Sequence, residues 1–425
     1  MSFTKSIPVV FIHKVLTLAV FSFSAQLLVA ARPAQAQTET VLYNFPGSLT
    51  SPGVNGGNPQ SGLTSDGAGN FYGTTLNGGA SGDGVVYELS PNGSGGWNQT
   101  VLYNFCSAPG CADGAYPWGP VIFDNAGNLY GTASDGLNGY GVAFKLSPSG
   151  KRWTETVLYS FADGTGFGAG PACGLIMDPA GNLYGTFSYY TGSKKPTNIV
   201  RTVFELSPSG GAWTEQVIYS LVQKSNANTL SPGLTMDASG NLFGSFTTTI
   251  FELSPNGNSG WTPAVIHTFP NSTYADSTPV LDSAGNLYGT TEAGGASGKG
   301  TVYKLSRGKT GTWALATLHA FTGGEDGANS FGGIVFDAAG DIYGTTGYGG
   351  ENNAGIVYEL SPVSKTSHKY NEKILWNFDG TNGFGPSGTL ILDSAGNLYG
   401  TTAAGGTSSN EQYGSGFGVV FEVTP

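Results

Sequence analysis

The sequence is poor in charged residues, which make up only 11% of its 425 positions, against roughly 25% in an ordinary soluble domain. Its 17 lysines and arginines are outnumbered by 28 acidic residues, so no basic stripe is available for a phosphate backbone, and a nucleic-acid partner is not expected. Glycine (69) and proline (22) supply about a fifth of the chain, which excludes an all-helical protein because both are poor helix formers. Since 39% of the residues are hydrophobic and 12% aromatic, the composition favours an all-β fold.

Residues 1–36 have the pattern of a signal peptide. Lys5 and Lys14 supply positive charge, and the apolar run at 15–30 is shorter than the roughly 20 residues of a membrane span. The tripeptide Ala34-Gln35-Ala36 fits the small-x-small cleavage pattern. We therefore predict cleavage after Ala36 and a secreted protein, periplasmic or extracellular, whose mature chain, 37–425, has no transmembrane segment.

Seven copies of one motif organise the mature chain. The motif Asp-x-x-Gly-Asn-Leu-Tyr-Gly-Thr, with small variations, starts at Asp66, Asp124, Asp178, Asp237, Asp282, Asp337 and Asp393. A segment like VYELSP and then one like TVLYSF recur in step with it. Each unit therefore predicts four short strands: a before the Asp, b at NLYGT, c at VYEL and d at VLYSF.

The signature itself predicts a tight turn between strands a and b. Its Asp can cap the backbone N–H groups of the turn, and its first Gly suits a positive φ. Calcium binding is the alternative for these seven aspartates, but one carboxylate per turn is too few for six or more oxygen ligands. The second Gly of each signature lies inside strand b, where we expect it to admit an aromatic side chain from the next blade.

A four-stranded unit repeated seven times predicts a seven-bladed β-propeller of antiparallel blades. An open solenoid is the alternative, but it would require atypical capping repeats. The mature chain instead begins with a lone strand d at 40–45 and ends on a strand c at 419–423. We expect these two strands to pair and close the ring in the domain 37–425.

These repeats also resemble a known family. The recurring GNLYGTT, the GG-rich stretch after it and the following GVVYELSP are similar to the bacterial GloVer tandem repeat, also described as choice-of-anchor proteins. The resemblance implies an exported bacterial protein of unassigned activity. Members often carry a C-terminal anchoring tail, which is not expected here because the sequence ends at Pro425 directly after strand c. More loosely, GLIMDPAGNLYGT is similar to the first two strands of NHL-type propeller blades.

Side chains that carry catalysis or bind metals are few. His267 and His319 fall where other d strands have Tyr or Trp, and Arg152, Arg201 and Arg307 do not assemble easily into the arginine triad of sialidase-type propellers. No nucleophile elbow or Cys/His zinc spacing is present, so we expect no metal and no cofactor. A carboxylate-only glycosidase or lyase site stays open, because two well-placed acids suffice.

The three cysteines favour one local disulfide. Cys106 and Cys111 flank a short turn in the first d–a loop, and Cys173 begins the strand a of a later blade. In an oxidising compartment we expect a Cys106–Cys111 bridge and a buried free thiol at Cys173. The alternative, Cys106 or Cys111 with Cys173, would tie neighbouring blades together.

Sequence variation among the repeats indicates which end of the blades carries function. The a–b and c–d turns are nearly uniform, whereas the b–c and d–a loops differ in length: 187–202 is long and 246–249 is short. Asp-Gly pairs recur in the d–a loops, at Asp113, Asp163, Asp326 and Asp379. The aromatic residues of this face are Tyr116, Trp118, Phe167, Tyr189, Tyr190, Tyr274, Phe331, Tyr348, Phe384 and Tyr413.

Aromatic rings beside carboxylates suit the flat face and hydroxyl edge of a sugar. We therefore predict a monomeric, non-catalytic binding propeller whose ligand is a glycan or a surface protein, with Trp118 as the first residue to test. The alternatives are a carbohydrate-active hydrolase or lyase with paired carboxylates on the same face, and a structural envelope protein. For any single loop residue, packing of the loop on itself is a competing explanation.

Overall fold

The seven repeats form seven antiparallel sheets arranged as a β-propeller, as predicted. The computed structural model describes residues 37–46, 53, 55–136, 139–161, 170–171, 173–191, 198–224, 233–257, 260–270, 272–364, 369–407 and 416–425. Within these residues the one helix is a 3-10 turn at Pro109–Cys111. No helix in the described part is long and apolar enough to cross a membrane.

The strands follow the predicted order a-b-c-d in every blade. The chain begins with β1 (Thr38–Asn44), and blades one to three are then β2 (Thr64–Ser65), β3 (Phe71–Thr75), β4 (Val85–Pro91), β5 (Trp97–Asn104); β6 (Ile122–Phe123), β7 (Leu129–Ala133), β8 (Val142–Ser149), β9 (Arg152–Ser160); β10 (Ile176–Met177), β11 (Leu183–Thr191), β12 (Asn198–Ser209) and β13 (Ala212–Lys224). Blades four to six are β14 (Thr235–Met236), β15 (Leu242–Phe246), β16 (Thr249–Pro255), β17 (Trp261–Thr268); β18 (Val280–Leu281), β19 (Leu287–Thr291), β20 (Thr301–Arg307), β21 (Trp313–Ala320); β22 (Val335–Phe336), β23 (Ile342–Thr346), β24 (Ile356–Pro362) and β25 (Tyr370–Asn377). Blade seven holds β26 (Phe384–Pro386), β27 (Ile391–Leu392), β28 (Leu398–Ala404) and β29 (Val419–Thr424).

The N-terminal strand closes the ring, as predicted. β1 pairs antiparallel with β29, from Thr38 opposite Thr424 to Asn44 opposite Val419. It therefore supplies the strand d that the end of blade seven lacks. The pair carries the same bulge that interrupts the c–d ladder of the other six blades, and a bulge on an outermost strand makes its edge less able to pair with another chain.

The signature aspartates cap their turns, as predicted. In blade two, Asp124 Oδ1 accepts hydrogen bonds from the backbone N–H groups of Ala126 and Asn128, both at 2.9 Å, and Oδ2 accepts one from Asn128 Nδ2 at 2.7 Å. The two backbone bonds recur in the other six turns. The first Gly of each signature has a positive φ, between 79° and 98°, a conformation in which the absence of a Cβ removes the steric penalty.

The glycine inside strand b has a different partner from the one we expected. A Cβ on Gly289 would lie 2.5 Å from the hydroxyl oxygen of Tyr303, and these two residues are directly opposite each other in the same blade. All seven such glycines face the aromatic residue of their own strand c. The prediction of an aromatic from the next blade is therefore wrong: the glycine makes room for its own cross-strand neighbour, a pairing known to stabilise sheets that contain glycine.

Contacts between neighbouring blades form the core. Seven buried apolar clusters are present, each drawn from two adjacent blades. The residue after the strand-b glycine adds polar links: Thr74 Oγ1 donates to the Gly119 carbonyl of the next blade at 3.1 Å, and Thr401 Oγ1 donates to the Ser61 carbonyl at 2.7 Å. The second bond joins blade seven to blade one, so the ring is closed at its centre as well as at its rim.

Blade three departs from the predicted loop at 187–202. β11 and β12 extend their ladder so that Phe187 is paired with Thr202 and Thr191 with Asn198. Much of the predicted loop is therefore a long hairpin. Aromatic residues on one strand and β-branched residues on the other explain it, because both types favour extended pairing.

Candidate functional site

A cavity of about 610 Å³ lies at the centre of the ring. Its wall is made by the residues that lead into strand a in all seven blades, and by the residues that leave strand b in blades six and seven. This is the end of the blades that carries the b–c and d–a loops. The face predicted from sequence variation is therefore the face on which the cavity opens.

Aromatic side chains from four different connections between strands line this cavity: Trp118, Phe331, Tyr348 and Phe384. Tyr348 lies between the two phenylalanines, with its ring centroid 6.3 Å from that of Phe331 and 6.0 Å from that of Phe384, and both pairs meet edge to face. Tyr348 is 42% exposed. Trp118 leads into blade two, whereas the other three belong to blades six and seven, so aromatic surface is present on well-separated sectors of the ring.

Hydroxyl groups in the cavity wall hold neighbouring loops together. Thr278 Oγ1 accepts a hydrogen bond from the Gly233 N–H at 2.9 Å, and Thr389 Oγ1 accepts one from the Gly333 N–H at 3.1 Å. Each bond joins loops of two adjacent blades. These bonds fix the loops of the wall in the unbound protein, and a preorganised site lowers the entropic cost of binding.

One carboxylate, that of Asp276, is present among the described lining residues. It interacts with Arg201, which is fully buried in β12. Burial lowers the pKa of the Arg201 guanidinium to about 10, and the charge of Asp276 opposes that shift. Arg201 Nε also donates to Gln223 Oε1 at 3.0 Å. The negative charge of Asp276 is therefore partly balanced from within the protein.

Three residues of the predicted binding set line the cavity: Trp118, Phe331 and Phe384. Tyr116 precedes Trp118 by two residues but lies outside the lining, and it is 36% exposed. Its side-chain hydrogen bond to Asp83, together with burial, raises the pKa of its phenol.

The remaining predicted residues lie elsewhere or beyond the described part. Tyr189 and Tyr190 are on β11, not on a loop, and Tyr189 stacks on Phe187 with ring centroids 5.8 Å apart. Asp163 and Phe167 lie outside the described residues.

The described Asp-Gly aspartates bond groups of their own loops or of the strand just before them. Asp113 is buried, and its carboxylate accepts hydrogen bonds from the Tyr103 hydroxyl at 2.7 Å and from the Ser107 N–H at 2.8 Å. Asp326 accepts from the Thr322 N–H at 2.8 Å, and Asp379 from the N–H groups of Thr381 and Asn382. These contacts organise the loop ends at the rim, away from the cavity wall.

The cysteines adopt the arrangement favoured by their spacing. Cys106 and Cys111 form a disulfide, and Cys173 is a buried free thiol. The Sγ of Cys173 lies 3.1 Å from the Thr186 hydroxyl, and burial raises the pKa of the thiol. Cys173 also contributes to the cavity wall.

Asp276 is the cavity residue that the sequence patterns did not single out. It lies in the connection before strand a of blade five, and the corresponding connections of four other blades hold the Asp-Gly pairs that drew attention. Its position immediately before Ser277 and Thr278 is the signal that could have revealed it, since that segment lines the cavity in every blade.

Comparisons with known proteins identify one family model that matches the chain. The model of the Gloeobacter/Verrucomicrobia repeat matches residues 27–249 and 247–425. No curated protein matches the chain.

Solved structures similar to the chain include three proteins of low identity. A protein of unknown function from Dyadobacter fermentans has a TM-score of 0.43 at 11% identity, covering 91% of this chain and 98% of its own. A gluconolactonase from Xanthomonas campestris has a TM-score of 0.38 at 12% identity, with 92% and 98% covered. An α-L-arabinofuranosidase from Fusarium graminearum has a TM-score of 0.42 at 13% identity, with 72% and 91% covered. None of these similarities carries an argument about activity.

Proposed function

The chain belongs to the Gloeobacter/Verrucomicrobia repeat family, and from that premise we propose that it is an exported, non-catalytic protein that binds a neutral glycan in its central cavity. The observation that carries the proposal is the convergence of Trp118, Phe331, Tyr348 and Phe384 on one cavity. These residues come from loops that vary among the repeats, and the repeated blades hold them in place.

The lining suits a sugar ring better than a purely apolar ligand. Aromatic faces offer a flat surface to the C–H groups of a sugar, and polar groups nearby can bond its hydroxyls. Gln60 and Asp276 supply such groups in the same lining, whereas the hydroxyls of Ser61, Ser277 and Ser387 are bonded to other groups of the protein. The cavity volume of about 610 Å³ is in the range of small-molecule sites.

Charge favours a neutral ligand. Asp276 is the only charged residue among the described residues of the lining, so that lining offers no lysine or arginine to an anionic sugar. A glycosidase of the usual kind needs two carboxyl groups about 5 to 9.5 Å apart, and a single carboxylate supports binding over hydrolysis.

A glycan array that contains neutral and anionic oligosaccharides tests the proposal, followed by titration of the best ligand into variants. Trp118→Ala is expected to weaken binding at least about tenfold, because a stacked tryptophan at a binding hot spot contributes roughly 1.4 kcal/mol or more. Phe384→Ala, in the part of the lining that leads into blade seven, is expected to act in the same direction.

Two variants serve as matched controls. Tyr116→Ala removes an aromatic ring close to Trp118 but outside the cavity lining, so its affinity is expected to stay near that of the wild type. Asn128→Ala removes a hydrogen bond of the Asp124 turn at the other end of the blades and is expected to lower stability rather than affinity. Absence of binding across the array would reject the glycan, and release of reducing ends from a bound glycan would indicate the hydrolase or lyase instead.

Export is the second part of the proposal and rests on the leader at 1–36. We expect N-terminal sequencing of the exported protein to begin at Gln37, because the apolar run is short and a small-x-small site follows it. An intact Met1 recovered from the membrane fraction would contradict export by cleavage.

A further inference from the structure

A second cluster of chemically versatile side chains lies at the rim, between blades five and six. His319 is on β21, the outermost strand of blade five, and Glu372 is on β25, the outermost strand of blade six. Asp326 lies in the connection between these blades. Each offers one ligand atom, and the three atoms lie within 4.8 Å of one another. The described lining of the central cavity does not include these residues.

The spacing of the three atoms fits a cation better than hydrogen bonds. His319 Nε2 lies 3.6 Å from Asp326 Oδ2 and 3.6 Å from Glu372 Oε1, which is too far for a hydrogen bond. Zinc bonds to nitrogen and oxygen of roughly 2.0–2.2 Å at a tetrahedral angle place two ligand atoms about 3.3–3.6 Å apart. A single ion could therefore contact all three atoms after small side-chain movements.

Two of the atoms lack a hydrogen-bond partner among the described residues. His319 Nε2 and Glu372 Oε1 are shielded from solvent and make no hydrogen bond within that part of the chain. Buried polar atoms are normally satisfied, so two such atoms pointing at one another require an explanation. A bound cation satisfies both at once.

The equivalent cluster between blades one and two has a tyrosine where this cluster has a histidine. Tyr103, Asp113 and Glu155 occupy the corresponding positions, and the Tyr103 hydroxyl donates to Asp113 at 2.7 Å. His319 replaces that hydroxyl with an imidazole nitrogen. An imidazole nitrogen is one of the usual zinc ligands, whereas a tyrosine hydroxyl is not.

We propose that His319, Asp326 and Glu372 bind one Zn²⁺ ion that links blades five and six. An imidazole with two carboxylates suits zinc, whereas Ca²⁺ and Mg²⁺ prefer sets made of oxygen alone. The two carboxylates balance the charge of the ion. Their side chains and that of His319 remain 16–18% exposed, so a water molecule can complete the tetrahedron.

The test is zinc binding by the untagged protein after treatment with a chelator. We expect one Zn²⁺ per chain by isothermal titration and by elemental analysis after gel filtration, together with a rise in melting temperature on adding zinc. Ca²⁺ and Mg²⁺ are expected to produce neither effect. Co²⁺ in the same site provides a visible absorption band that reports on its coordination.

The repeat supplies a variant that is expected to fold. His319→Tyr introduces the residue found at Tyr103 and is expected to abolish zinc binding and the thermal shift while leaving the melting temperature without zinc close to that of the wild type. Glu372→Gln is expected to weaken zinc binding at least tenfold. His267→Tyr is the matched control, because His267 has the equivalent place on β17, whereas the next blade has Leu315 at the ladder position that corresponds to Glu372. Failure of the wild type to bind zinc, or retention of zinc by both His319→Tyr and Glu372→Gln, would overturn the proposal.

Discussion

The aspartate that begins each repeat acts entirely within its own turn. In blade two, burial alone would raise the pKa of Asp124, but hydrogen bonds from Asn128, Tyr130 and the backbone together hold that pKa below its ordinary value. All of these donors lie within six residues of the acid. A role set by such local contacts could be predicted from the sequence, and the turn was predicted correctly.

Two glutamates at the rim have pKa values that are raised rather than lowered. Burial, with a smaller effect from the nearby Asp379, raises the pKa of Glu39 to about 7, and burial with Asp113 does the same for Glu155. These shifts depend on groups from neighbouring blades. No spacing within the repeat indicates them, because they arise only when two blades pack together.

The raised pKa values predict that the folded state loses stability as the pH rises. The ordinary pKa is 4.5, so between about pH 4.5 and 7 the folded protein binds more protons than the unfolded chain, and the free energy of unfolding falls across that window. Glu155→Gln is expected to remove part of this fall and to raise stability at about pH 8 by about 1 kcal/mol, a value discounted for partial exposure. Urea unfolding of the wild type and of Glu155→Gln at about pH 5 and pH 8 measures this difference in the free energy of unfolding.

An exposed glutamate provides the control for that experiment. Glu351 is exposed, and Glu351→Gln is expected to leave the pH dependence unchanged. Equal effects of the two substitutions would show that net charge, and not burial of Glu155, governs the trend.

At the scale of strands, the sequence predicted where the strands lie and their order in each blade, but it did not predict which residues pair across neighbouring strands. Alternation of Val, Ile, Tyr and Phe between turn residues predicted all four strands of each blade. The partner expected for Gly289 was wrong. The register of the b–c pair places Tyr303 opposite Gly289, and a register cannot be predicted from either strand alone because it depends on how the two strands pair. The long hairpin of β11 and β12 was missed for the same reason.

The strand that closes the ring is expected to be indispensable. Deletion of Thr38–Phe45 removes β1 and exposes the edge of β29. It also uncovers the apolar residues that share a buried cluster with Leu42 and Phe45, including Tyr87 and Val420. We expect aggregation or a marked fall in melting temperature, measured by calorimetry and light scattering. The matched control is the chain that begins at Gln37, which lacks the predicted leader and keeps β1. Equal melting temperatures for the two proteins would mean that the ring closes in another way.

For the molecule as a whole, the sequence indicated the end of the blades at which the cavity lies, but it indicated only some of the residues that line the cavity. Uniform turns at one end and variable loops at the other indicated the face. Which aromatic residues turn toward the axis depends on how each loop packs against its neighbours, and this placed Trp118, Phe331 and Phe384 in the wall and Tyr116 outside it. The sequence offers no periodic signal for that distinction.

The closing pair also determines how the ring responds to force. Thr38 lies directly opposite Thr424, so a pull applied between these two residues acts across the β1–β29 ladder and loads its hydrogen bonds one after another. Bonds that break in sequence resist less tension than bonds sheared together. Under such a load we expect β1 to separate from β29 first. The ring then opens at blade seven, while the other six blades keep all four strands.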